Sequence, residues 1–197
     1  MFMKINVPNV LTIFRILLTP LFIVCLFSQY PYARLWALII FIVASVTDAF
    51  DGHYARKYNQ VTRQGKFLDP LADKILVSSA FISFAIMDLV PYWMVGLIIF
   101  RDLFVTGLRM AMESQGLTMI TSKIAKAKTT TQISVIIFIL LFLGVQIFNY
   151  NWLGIVIDFI VGNRIIYYFA LISTFFTVWT GISYLYKNRI TIKNFVS

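Results

Sequence analysis

Acidic side chains are scarce in this chain: 8 of 197 residues, against 17 lysines and arginines, with charged residues of both signs at only 13%. A soluble globular domain is typically about 25% charged, so most of this chain cannot present an ordinary water-facing surface. One cysteine, Cys25, excludes an internal disulfide. With no Cys or His beside it, it also makes no thiolate metal centre, and it reads as packing within an apolar segment. The one histidine, His53, lies two positions beyond Asp51 and off the face that the neighbouring carboxylates share, so a histidine-built metal site is excluded too. No low-complexity linker and no internal repeat interrupts the chain. No basic stripe lies on a soluble segment, so the net charge of +9 does not point to nucleic acid.

What is abundant is apolar length. A membrane span needs about 20 apolar residues, and six windows of that size stand out, at about residues 10–29, 35–55, 67–89, 92–111, 129–148 and 165–186. The first has a basic start at Lys4, but Arg15 interrupts it and no small-residue cleavage site follows, so it reads as a span and not as a signal peptide. Short connections favour one helical domain over residues 1–197. The expected fold is therefore an all-α integral membrane protein with six transmembrane helices in one bundle. Cations orient it. With the N-terminus in the cytoplasm, 12 lysines and arginines fall on the inside, against Arg34 and Arg164 outside, while Arg15, Lys74 and Arg101 lie within spans. Both termini are then cytoplasmic, and the excess positive charge serves topology and contact with anionic headgroups. Tyr30, Tyr32, Trp36, Tyr92, Trp93, Tyr150 and Trp152 stand at span ends and read as interfacial anchors.

Half of the scarce carboxylates sit in one stretch. Asp48 and Asp51 end the second window, and Asp69 and Asp73 begin the third. Spacings of three and four place each pair on one helix face. A charge inside a bilayer costs roughly 2.5–3.5 kcal/mol even on the lenient insertion scale, so four together call for cations to neutralise them. Oxygen donors alone suit hard divalent ions such as Mg²⁺ or Mn²⁺. Gly52, Ala55 and Gly65 leave room for a bulky group against the backbone. Arg56 offers a permanently charged fork suited to phosphate. Together these are parts of a phosphoryl-transfer site. Spacing alone leaves a cation transporter or ion pathway open.

The same residues resemble the signature of the CDP-alcohol phosphatidyltransferases: D-x-x-D-G-x-x-A-R, eight residues, then G-x-x-x-D-x-x-x-D. Asp48, Asp51, Gly52, Ala55, Arg56, Gly65, Asp69 and Asp73 match it at every fixed position. The resemblance implies two metal ions, Mg²⁺ or Mn²⁺, held by Asp48, Asp51, Asp69 and Asp73, with Asp48 and Asp69 bridging both. It implies Asp73 as general base. Gly52, Arg56, Thr62 and Gly65 then stand at the CDP-diacylglycerol site. The opening Pro8-Asn9-Val10-Leu11-Thr12 resembles a segment that helps bind the nucleotide, which brings Asn9 and Thr12 to the same site; both also read as helix capping. The resemblance further implies a homodimer in the bacterial cytoplasmic membrane, with the active site facing the cytoplasm.

Residues 101–109, RDLFVTGLR, resemble the R-E-x-x-x-S/T-G-L-R stretch of the phosphatidylglycerophosphate synthase branch, with Asp102 in place of Glu. Residues 123–129, KIAKAKT, resemble its G-K-x-K-T element, with Ala125 where Gly is common. That branch implies sn-glycerol 3-phosphate as acceptor. A physical argument runs beside it: Arg101 lies in a span, where an unpaired cation is costly, and Arg109 follows about two turns on. With Lys126 and Lys128 they make a basic pocket for the acceptor phosphate. The plainer alternatives are topology charge for the two lysines and an Arg101–Asp102 pairing within the bundle. Rival acceptors are inositol phosphate, serine and phosphatidylglycerol.

Overall fold

The computed structural model describes residues 7–57, 65–117, 123–148 and 150–196, with side chains at all of these except 7–12, 48–57, 65–71, 73, 123–127, 194 and 196. Among the described residues there are eight helices and no strand. They are α1 (Val7–Phe27), α2 (Ala33–Lys57), α3 (Gly65–Ile86), α4 (Tyr92–Ser114), α5 (Lys123–Val145), α6 (Asn151–Gly162), α7 (Ile165–Lys187) and α8 (Arg189–Val196). Six of these cover the six apolar windows. The short α6 and α8 are additional: α6 is apolar but only 12 residues long, about 18 Å at 1.5 Å per residue, which is below spanning length.

Asn9 and Thr12 both lie within α1 and not at an N-cap, where the capping reading places them. At their C-terminal ends, α3 and α4 use one device. Leu89 N–H bonds back to Phe84 O and Asp88 N–H to Ala85 O; Leu117 N–H bonds to Met112 O and Gly116 N–H to Glu113 O. These are two Schellman closures, with left-handed residues at Asp88 (φ 57°) and Gly116 (φ 78°).

The chain divides into two compact units. The first comprises Met1–Ser83 and Ile137–Asp158. In it α1 packs on α2, with Phe22 against Phe41 at 5.8 Å between ring centres. Ala37 and Ala44 are fully buried on α2, where small side chains permit close approach. The second unit comprises Phe84–Ile136 and Phe159–Ser197, where α4 and α8 both pack on α7. Helix α7 is patterned inside out. Ser173 and Thr177 are 0% exposed while Phe175, between them, is 71% exposed. Among the described residues, Lys128–Val145 of α5 and Ile165–Lys187 of α7 are long and apolar enough to cross a membrane. Shorter apolar stretches are Ile13–Phe27, Ala33–Thr47, Lys74–Ile86 and Asn151–Gly162. All seven expected anchor aromatics, from Tyr30 to Trp152, are exposed.

Candidate active site

Helix α2 continues unbroken through Asp48 and Asp51 to Lys57, and α3 begins at Gly65 and carries Asp69 and Asp73. The backbone thus realises the spacing that puts each carboxylate pair on one helical face. The side chains of these four aspartates, and those of Asn9, Thr12, Arg56 and Lys126, lie outside the described residues, as does the whole of Thr62. Gly52 sits within the last turns of α2, and Gly65 is the first residue of α3. As a donor set, four carboxylates with no thiolate or imidazole fit hard divalent cations and no softer metal.

The second unit brings two of the four residues expected at the acceptor phosphate, Arg101 and Lys128, onto one carboxylate. Asp102 on α4 is 3% exposed, and Lys128 on α5 is 2% exposed. The Lys128 ammonium donates to Asp102 Oδ1. Arg101 Nη1 donates to the same oxygen at 3.3 Å. Gln132, one turn beyond Lys128, donates from Nε2 both to Asp102 Oδ2 and to Thr177 Oγ1 on α7, each at 3.3 Å. Arg101 Nη2 donates to Thr180 Oγ1 at 3.2 Å. One carboxylate therefore faces two cations. Further along, Arg109 Nε donates to Tyr184 Oη at 3.3 Å, with its guanidinium carbon 5.6 Å from that ring's centre. The Arg101–Thr180 and Arg109–Tyr184 contacts advance together along both helices, so α4 and α7 run parallel. The Arg101–Asp102 pairing offered as the plainer alternative is present, and Lys128 shares it.

The sequence matches the family model described as CDP-alcohol phosphatidyltransferase over residues 5–180. The chain belongs to that family. Among curated relatives, the CDP-diacylglycerol--glycerol-3-phosphate 3-phosphatidyltransferase of Bacillus subtilis is 38% identical over 200 residues, covering 95% of this chain and 97% of the relative. Proteins of the same name from Rickettsia felis (37% identical, 91% of this chain and 93% of the relative) and Salmonella paratyphi A (39%, 66% and 74%) are also similar. The CDP-alcohol phosphatidyltransferase signature lies wholly on α2, α3 and the segment joining them, whereas the basic cluster is built from α4, α5 and α7.

Sequence reasoning missed Gln132, Thr177, Thr180 and Tyr184. A signal existed for three of them. Ser173, Thr174, Thr177, Thr180, Gly181 and Tyr184 are all buried on α7, at three- and four-residue spacings that mark one helical face. Within an otherwise apolar helix, that polar stripe marks an interior face.

Proposed function

We propose that this chain is a multi-pass membrane enzyme that transfers the phosphatidyl group of CDP-diacylglycerol to sn-glycerol 3-phosphate, releasing CMP and phosphatidylglycerophosphate. The observation that carries the reading is the complete eight-residue signature within a chain that is similar, over 95% of its length, to an enzyme named for this reaction. The buried Arg101 and Lys128, gathered around Asp102, supply charged N–H donors of the kind that suit an anionic acceptor.

Asp48, Asp51, Asp69 and Asp73 would hold two divalent cations, Mg²⁺ or Mn²⁺, and when bound these supply Lewis-acid polarisation of the pyrophosphate. Asp73 takes the proton from the primary hydroxyl of glycerol 3-phosphate. That oxygen attacks the phosphorus bearing diacylglycerol, and the P–O bond to the cytidylyl phosphate breaks with its electron pair on departing CMP. Gly52, Arg56, Thr62 and Gly65, with Asn9 and Thr12, hold the CDP moiety. Arg101 and Arg109, with Lys126 and Lys128, hold the acceptor phosphate, Lys128 sharing its charge with Asp102. Asp73 works through position as much as through basicity. In this reading the six long helices span a bacterial cytoplasmic membrane as one domain, both termini and the active site face the cytoplasm, and the chain is a homodimer.

The test is an acceptor panel. Purified protein in lipid nanodiscs receives CDP-diacylglycerol and Mg²⁺ with glycerol 3-phosphate, inositol phosphate, serine or phosphatidylglycerol separately, and CMP is measured. CMP release with glycerol 3-phosphate, and its loss in Asp73→Asn, is expected. Preference for another acceptor replaces the acceptor assignment alone, whereas cation flux in proteoliposomes without CMP removes the reaction class.

A further inference from the structure

The seat of Arg101 on α7 is built by two residues that neither the signature nor the branch-specific stretches contain. A Cβ added at Gly181 would lie 2.9 Å from Arg101 Cγ and 3.0 Å from its Nε. The arginine stem therefore runs through the space that a side chain at 181 would fill. Contact that short does not persist, so any residue but glycine displaces the stem. The head is fixed as well. Thr180 Oγ1 donates its hydrogen to Thr177 O at 2.9 Å, which turns an oxygen lone pair toward Arg101 Nη2 at 3.2 Å. Asp102 holds Nη1 from the other side. With both terminal nitrogens engaged, Nε is buried with no hydrogen-bond partner among the described residues. An orphaned donor of that kind is expensive unless a ligand oxygen completes it.

We infer that Thr180 and Gly181 are positioning residues for acceptor recognition, which seat the Arg101 guanidinium on α7 so that its remaining N–H groups meet an anionic acceptor. This rests on the assignment of Arg101 to the acceptor phosphate. Gly181 supplies space, Thr180 supplies the acceptor oxygen that fixes the plane of the fork, and neither touches substrate. Planar, directional pairing with a phosphate is sensitive to such an error, since a displacement of about 1 Å weakens it steeply.

The experiment compares Gly181→Ala, Thr180→Val, Thr180→Ser and Gly96→Ala in nanodiscs, reading CMP release against each substrate in turn. Gly96 on α4 has open space where its Cβ would lie, so Gly96→Ala serves as the glycine control. The expected result is a KM for glycerol 3-phosphate raised about ten-fold in Gly181→Ala and Thr180→Val, with the KM for CDP-diacylglycerol within about two-fold of wild type. Thr180→Ser, which keeps the hydroxyl, restores the wild-type value. In an Arg101→Ala background, Gly181→Ala adds nothing further, because the Cγ and Nε that it displaces are gone. Both KM values rising together, kcat falling alone, or Gly181→Ala acting equally in both backgrounds overturns the inference. The threonine pair decides the matter if Gly181→Ala does not fold. Wild-type protein that releases CMP only with an uncharged acceptor removes the parent assignment, and is distinguishable because it appears before any variant is made.

Discussion

Asp102 illustrates what a single side chain carries here. Its two oxygens receive Lys128, Arg101 and Gln132, and it is the one carboxylate among those residues. Converting it to Asn removes the negative charge that Arg101 and Lys128 share inside the protein. Removing one partner of a buried ion pair costs roughly 3–5 kcal/mol, whereas removing both is often close to neutral. Asp102→Asn should therefore lower the unfolding midpoint in detergent sharply. The double variant Asp102→Asn/Lys128→Met, which removes both partners of the ion pair, should be no less stable than the single one. Strictly additive losses in that cycle would show that the two residues act independently. The cations of this cluster were legible in the sequence, since Arg101 inside an apolar run demands a partner. The pairing of Arg101 with Asp102 was open to sequence reasoning as well, but the sharing of Asp102 with Lys128 and Gln132 was not. Spacing along one helix says nothing about which residues of α5 and α7 arrive opposite it, and Gln132 and Thr177 carry no charge to announce themselves.

Helix ends show the same contrast between local and distant information. The six long helices were legible because an apolar run of about 20 residues has few other ways to fold. Helix α6 was not, because its 12 residues fall below that length, and α8 follows α7 after a single residue, Asn188, with no apolar period of its own. The two Schellman closures allow a paired prediction. They share their hydrogen bonds, yet one places Asp88 and the other Gly116 in the left-handed position. A non-glycine residue pays about 1–2 kcal/mol there. Since nothing lies within 4 Å of a Cβ at Gly116, Gly116→Ala should lose about 1 kcal/mol through backbone strain alone. Asp88→Gly should gain up to about 1 kcal/mol by relieving it. Thermal unfolding in detergent measures both, and shifts of equal sign would refute the argument.

For the molecule as a whole, the deciding property is which solvent its surface suits. On α7 the hydroxyls of Ser173, Thr174, Thr177 and Thr180 face inward, while Ile172, Phe175, Trp179 and Ile182 are exposed. In water that arrangement would squander the hydrophobic effect. In hydrocarbon it is favourable, because lipid chains accept the apolar surface and interior hydroxyls act between helices. Orientation then follows from cations, which number 12 on the proposed cytoplasmic side against Arg34 and Arg164 on the other. The chain is well suited to a direct test because Cys25 is its single cysteine. In a Cys25→Ser background, a cysteine placed at Asn163, exposed just before α7, should react with a membrane-impermeant maleimide in intact cells. One placed at Lys193, exposed on α8, should react only after permeabilisation. The reverse pattern would put the carboxylate-bearing ends of α2 and α3 on the outer face, away from the cytoplasmic pool of a phosphorylated, water-soluble acceptor. Labelling of both sites in intact cells would remove an odd number of crossings between them, and with it the span assigned to α7.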